Sequence, residues 1–194
     1  MRPQLVVSAA ASTAVDRAER EPELVYGINT VGAGAVAEAA NRLGVPIVHL
    51  STDYVFDGKK RGSYRETDAL APLKVYGAAP RHLISRTSWM YSPFGANFVK
   101  TTLRLASARK EIAVVADQRG NPSSALDIAD AILRAAVTMG EVAAYGTYHV
   151  AGSGTTSWAD FARHVFSSSR ARGGRGQRFV TYQPPNLPLG CPAH

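Results

Sequence analysis

The chain has 194 residues, 45% of them hydrophobic and 19% charged, a composition that sets aside a disordered chain and leaves one domain with at most a small appendage. Its formal charge of +7 is concentrated: Arg170, Arg172, Arg175 and Arg178 lie in a stretch without acids, and the remaining balance is 18 basic against 15 acidic residues. No aromatic residues alternate with those arginines, so base stacking on a nucleic acid is not expected.

Cys191, the single cysteine, cannot form an internal disulfide, and the five histidines lack ligand spacing. No metal site is expected, and His49, inside an apolar strand, reads as a structural histidine. No apolar run reaches the length of a membrane span, and Met1-Arg2-Pro3-Gln4 lacks the apolar core of a signal peptide. The expected location is the cytoplasm, with no membrane partner.

Leu5-Val6-Val7 predicts a short strand ending in small residues, Ala9-Ala10-Ala11. Such an end admits a flat cofactor ring close to the backbone, or else packs a strand tightly on a helix. From Thr13 the pattern turns helical, with Val15, Ala18, Leu24 and Val25 as a buried stripe and Glu21-Pro22 as a break. Val31 to Leu43 predicts a helix burying Val36, Ala39, Ala40 and Leu43, stopped by Gly44.

Pro46 to Leu50 predicts a buried strand that delivers Ser51-Thr52-Asp53-Tyr54-Val55-Phe56 at its carboxyl end, where open α/β sheets bind ligands. Lys59-Lys60-Arg61 reads as a solvated turn, with contact to a diphosphate as the alternative. Leu83-Ile84-Ser85 is the next strand, running into Arg86-Thr87-Ser88-Trp89. Asn97 to Arg109 predicts a helix using Phe98, Thr101, Leu105 and Ala108, and Ile112 to Val115 a strand. Ala125 to Met139 predicts a helix with Ile128, Ile132, Leu133 and Ala136 inward, then a strand over Thr147 to Val150 and a helix with Trp158, Phe161, Ala162, Val165 and Phe166. This alternation predicts an α/β fold, an incomplete Rossmann-like doubly wound parallel sheet with a small substrate-binding appendage. Residues 1–167 form the expected domain, and 168–194, rich in Gly, Arg and Pro, a poorly packed or disordered tail.

The words S-T-D-Y-V-F-x-G, E-T-D and P-x-x-V-Y-G, with Arg86-Thr87-Ser88-Trp89, Asp117-Gln118-Arg119-Gly120-Asn121-Pro122 and Gly146-Thr147-Tyr148-His149-Val150, closely resemble the dTDP-4-dehydrorhamnose reductase family, a branch of the extended short-chain dehydrogenases. The resemblance implies reduction of the C4 ketone of a dTDP-linked sugar, dTDP-4-dehydro-6-deoxy-L-mannose, by NADPH or NADH. It implies Tyr76 as the acid and Thr52 as the hydroxyl orienting the carbonyl. Asp53, Tyr54, Phe56 and Trp89 would line the sugar site, and Ala9, Ala10, Thr13 and Ser88 the cofactor. On spacing alone Tyr54, Phe56 and Trp89 serve equally as core aromatics. A homodimer or a partner enzyme is consistent with this reading.

Three departures accompany the resemblance. The lysine one helical turn after the tyrosine, which lowers its pKa, falls on Pro80. No glycine-rich strand–turn–helix precedes Leu5, and Gly32-Ala33-Gly34 sits in a helix after the wrong strand. Gln183-Pro184-Pro185-Asn186-Leu187 stands where the family has a substrate-binding segment rich in prolines and arginines. Beside impaired reduction, the readings are a non-catalytic nucleotide-sugar-binding or regulatory subunit, an unstable gene remnant, and an epimerase or dehydratase of the same superfamily.

Overall fold

The computed structural model describes residues 2–13, 20–56, 60, 62–69, 79–109, 111–142, 145–170 and 178–182. Four strands, β1 (Val6–Ser8), β2 (Ile47–Thr52), β3 (His82–Thr87) and β8 (Gly146–His149), form one sheet in that order. Every pairing in it is parallel, with Ser8 opposite His49, Thr52 opposite Thr87 and Arg86 opposite His149. Parallel register brings all four carboxyl ends to one edge, where the S-T-D and R-T-S words meet. The α/β expectation holds.

Strand alternation divides the side chains between two faces. On one, Val48 and Leu83 pack against Ile128, Ile132 and Met139 of helix α4 (Ala125–Val142). These lie at i, i+4 and i+11, the stripe of a helix packed on one side. Leu133, expected inward, is 66% exposed because it sits one residue off that stripe.

On the other face Ile47 packs against Ala37, Ala40 and Ala79. A continuous helical rod covers it: α1 (Pro22–Tyr26), a π-helical turn (Gly27–Gly32) and α2 (Ala33–Leu43), ended by Gly44 in the left-handed conformation at φ 69°. Proline opens the rod as its first helical residue, the break expected at Glu21-Pro22. The buried side of α2 is Ala33, Ala37 and Ala40 rather than the expected Val36 and Leu43, which are exposed. Only alanine methyls fit where helix and sheet approach this closely, and the wider π turn rotates the face that follows it. Leu24 is likewise exposed, while Val15 and Ala18 lie outside the described residues.

Helix α3 (Phe98–Ala108) is capped by Asn97, whose side chain accepts from the Lys100 amide at 3.2 Å. It buries Thr102 and Ala106, so Thr101 and Ala108, expected inward, face out. The anchor is Phe98, whose ring lies 4.3 Å from that of Trp158, at the start of α5 (Trp158–Arg170). Short strands complete the fold: β4 (Met90–Tyr91) pairs with β7 (Ser123–Ser124) and β6 (Arg119–Gly120) with β9 (Thr156–Ser157).

The tail expectation is corrected in part. Helix α5 continues to Arg170, past the expected boundary at 167, and β10 (Arg178–Tyr182) pairs in parallel with β5 (Glu111–Val115). The alternating Phe179 and Thr181 carry enough β preference to form a ladder once β5 offers an edge.

Because α2 meets the sheet through alanines, Ala40→Leu is expected to lower stability by about 1–3 kcal/mol through overpacking, whereas Val36→Ala changes it by no more than about 0.5 kcal/mol, as read by urea unfolding.

Candidate functional site

Thr52 ends β2 and caps the 3-10 turn Asp53–Val55, its hydroxyl accepting from the Tyr54 amide at 3.3 Å. The same hydroxyl donates to Asp53 Oδ1 at 2.9 Å. Asp53 is only 8% exposed, and its Oδ2 has no hydrogen-bond partner among the described residues. Burial raises its pKa from 3.8 to about 6, outweighing the hydrogen bonds from Thr52 and from its own and the Tyr54 amide. Thr52 itself reaches solvent, and Tyr54 beside it is 59% exposed.

Asp53 lines a small pocket with Phe56, Arg86, Thr87, Ser88, His149 and Ala151. Phe56 is buried, stacks on Tyr64 at 4.2 Å and carries the Arg86 guanidinium 5.2 Å above its ring. Arg86, 5% exposed, donates to the Glu66 carbonyl at 3.2 Å and lies 3.3 Å from His149 Nε2. A guanidinium only donates, so Nε2 is the acceptor and His149 is neutral with its proton on Nδ1. Desolvation lowers the His149 pKa, consistent with that form. Glu66 Oε1 accepts from the His149 amide at 3.1 Å, and backbone hydrogen bonds, first from Glu66 itself and then from His149, hold its carboxyl below the usual range.

The loop before β3 is thus fastened to the ends of β3 and β8. Asp68 fastens it further by accepting from Lys60 and from the Arg65 amide, and the Lys60 ammonium also sits 5.6 Å from the Tyr64 ring. Lys60 braces this loop rather than standing as a solvated turn; Lys59 and Arg61 lie outside the described residues.

Thr52, Asp53, Phe56 and Ser88 lie together around the carboxyl ends of β2 and β3. Ser88 spends its hydroxyl on the Asn121 carbonyl at 3.1 Å. Trp89 stands apart: at φ 44° it turns its indole onto Trp158, 3.6 Å away and within 10° of parallel. There the ring covers Gly120, where a Cβ would fall 2.3 Å from Trp89 Cε2. Ala9, Ala10 and Thr13 are exposed beyond the carboxyl end of β1, and Asn29 pins their loop by accepting from the Ser12 amide at 2.7 Å and donating to its carbonyl at 3.0 Å. Tyr76 lies outside the described residues.

Pro80 occupies a bend immediately before β3, and the Arg81 guanidinium beyond it donates to the Gly44 carbonyl at the amino end of the sheet. A six-residue strand puts that end roughly 17 Å from the Thr52 edge, so Arg81 does not supply charge to the site.

Sequence reasoning gave no role to Arg86, His149, Glu66 or Asn121, although it quoted the words that hold them. A charge two residues after the apolar pair Leu83-Ile84, in a strand reading as buried, is the signal that marks Arg86. Asn121 donates to the carbonyls of Gly152 and Gly154 at 3.2 and 2.8 Å, and the Gly152 Cβ position would meet the Pro122 carbonyl oxygen at 2.1 Å. The G-N-P and G-S-G words therefore tie the exit of β3 to the loop after β8.

The exposed small residues that follow β1, on the same side of the sheet as Thr52, leave room for the flat ring of a nicotinamide dinucleotide. Gly32 and Gly34 are inside the helical rod, and the described residues contain no glycine-rich strand–turn–helix to cradle a pyrophosphate.

The sequence matches the RmlD substrate binding domain family over residues 1–186. The chain belongs to that family. It is 49% identical to the dTDP-4-dehydrorhamnose reductase of Sinorhizobium fredii over 180 residues, 85% of this chain and 61% of the relative. The reductase of the same name from Escherichia coli K12 is 46% identical over 188 residues, 89% of this chain and 62% of the relative. A crystal structure of the Bacillus anthracis dTDP-4-dehydrorhamnose reductase in complex with NADP superposes with a TM-score of 0.84 at 38% identity, covering 94% of this chain and 66% of that one. The chain thus spans about three fifths of the length of the curated relatives it matches. Among the described residues no helix is long and apolar enough to cross a membrane, and no cluster of His, Cys, Asp or Glu could hold a metal ion.

Two outcomes follow from this geometry. Since the Asp53 pKa rises on folding, the folded state binds more protons than the unfolded one between about pH 4 and 6, and stability falls as pH rises through that window. Asp53→Asn is expected to remove that slope and to add up to about 3 kcal/mol at pH 7, read by denaturant unfolding at several pH values. Gly120→Ala is expected to expel the indole of Trp89 and cost about 1–3 kcal/mol, visible as a lowered unfolding midpoint with a changed tryptophan fluorescence spectrum.

Proposed function

We propose that the chain carries the substrate-facing part of an NAD(P)H-dependent reductase acting on the C4 ketone of dTDP-4-dehydro-6-deoxy-L-mannose to give dTDP-L-rhamnose. The observation that carries the reading is the solvent-reachable Thr52 hydroxyl at the carboxyl edge of a parallel sheet, flanked by the buried Asp53 and by Ser88. The S. fredii and E. coli relatives support it by their names.

A reduced nicotinamide supplies the hydride when bound. Thr52 orients the carbonyl, Tyr76 gives its phenolic proton to the oxygen as the carbon takes the hydride, and the product is the alcohol. Asp53 and Tyr54 border the sugar, with Phe56 as the floor beneath them, while Trp89, expected there from the resemblance, is turned onto Trp158. Ala9, Ala10, Thr13 and Ser88 lie along the cofactor. The compartment is the cytoplasm, where a soluble nucleotide sugar is available.

Pro80 stands where the family's lysine would fall, and the Arg81 guanidinium is bound to the Gly44 carbonyl, so neither position supplies the cation that the resemblance implies. The same observation favours a second reading, a nucleotide-sugar-binding subunit without turnover, possible as a homodimer or with a partner enzyme.

Consumption of NADPH by the purified chain with the dTDP-4-keto sugar, alongside calorimetric titration with dTDP, separates the two. For the reductase reading, Thr52→Val is expected to reduce kcat/KM about 100-fold while affinity for dTDP is retained. Binding of dTDP without any NADPH consumption establishes the second reading, and absence of both refutes the pair.

A further inference from the structure

We propose that Asp53 is a positioning residue that sets the polarity of the Thr52 hydroxyl, deciding whether that hydroxyl donates its proton inward or to the ligand. This rests on the reading of Thr52 as the group that faces the substrate carbonyl. A hydroxyl has one proton. In the present arrangement that proton goes to Asp53 Oδ1 at 2.9 Å, while a Thr52 lone pair accepts from the Tyr54 amide at 3.3 Å. The side that faces solvent is then left with lone-pair density, the wrong polarity for a carbonyl oxygen.

Protonation of Asp53 reverses this. The carboxylic acid donates to Thr52 Oγ1, and the threonine proton is released to point at a ligand acceptor. Asp53 is suited to carry that proton. It is buried, its Oδ2 has no hydrogen-bond partner among the described residues, and its pKa of about 6 lies where both forms are populated near neutrality.

Among the described residues, the charged and titratable groups around it on each packed element are Arg86 of β3, His149 of β8 and, behind His149, Glu66 of the loop before β3. Arg86 is committed to the Glu66 carbonyl, His149 Nε2 and the Phe56 ring, and His149 is neutral, so neither forces Asp53 to stay ionised. The Thr52–Asp53 pair is therefore a local two-state element, joined by the 2.9 Å hydrogen bond and held by the 3-10 turn that Thr52 caps.

The test has two arms. In the first, carboxyl carbon NMR follows the titration of Asp53 in wild type and in Thr52→Val. Loss of the hydroxyl removes a donor to the carboxylate, so the titration is expected to move to higher pH; a titration indifferent to Thr52 overturns the proposal. In the second, kcat/KM for the dTDP-4-keto sugar is measured against pH. Wild type and Thr52→Ser are expected to lose about tenfold per pH unit above the Asp53 titration. Asp53→Asn, whose amide donates permanently to Thr52, is expected to show no such fall and to exceed wild type at high pH. The same fall in Asp53→Asn as in wild type overturns the proposal. Should wild type turn nothing over at any pH, the reductase reading fails, and the NMR arm alone decides whether Asp53 and Thr52 are coupled.

Discussion

A guanidinium buried at the carboxyl end of β3 holds the functional edge of this protein together. Arg86 binds the Glu66 carbonyl, supports His149 and lies over Phe56, so one side chain joins the loop before β3, the end of β8 and the turn after β2. Taking such a charge from water is expensive, and the cost is offset only while its partners stay in place. The wall that carries Asp53 and Tyr54 is fixed as a consequence. The edge itself follows from parallel pairing, which turns the carboxyl ends of all four strands of the main sheet to one side, with β2, β3 and β8 ending within one residue of each other and β1 three residues short.

Burial at that edge has opposite effects on neighbouring groups. It raises Asp53, to which no cation is committed among the described residues, and lowers His149, which accepts from Arg86. Glu66 escapes because backbone amides satisfy its carboxylate near the surface. An acid held near neutrality, a neutral imidazole and an ionised carboxylate thus stand within one small cluster. This separation of protonation states is what a site needs if it is to offer a ligand both donors and acceptors at a single pH.

Most of the sheet was legible in the sequence because β1, β2 and β3 carry short apolar runs that end in hydroxyl residues. Most helices were legible in extent, but not always in face. In α2, valine and leucine lose the buried side to alanines, since the distance of approach to the sheet is decided by the partner and not by hydropathy. In α3 the aromatic stack on Phe98 fixes the rotation, a tertiary choice invisible to periodicity. For Trp89, which spacing alone leaves between pocket and core, the glycine at 120 and the positive φ at its own position lodge the indole against Trp158. Arg86, Glu66 and His149 went unassigned because each lies far from the others in sequence, and only strand register unites them.

Family membership accounts for the words, and the departure at Pro80 accounts for how this chain differs. The central claim is that the carboxyl edge of the sheet receives a nucleotide-linked sugar. Thermal unfolding of the purified chain with and without excess dTDP-L-rhamnose tests it most directly. A ligand selective for the folded state at about a hundred times its dissociation constant adds roughly 2.7 kcal/mol, and the account expects the midpoint to rise by several degrees. A cooperative transition that the nucleotide sugar leaves unmoved at saturating concentration would contradict it.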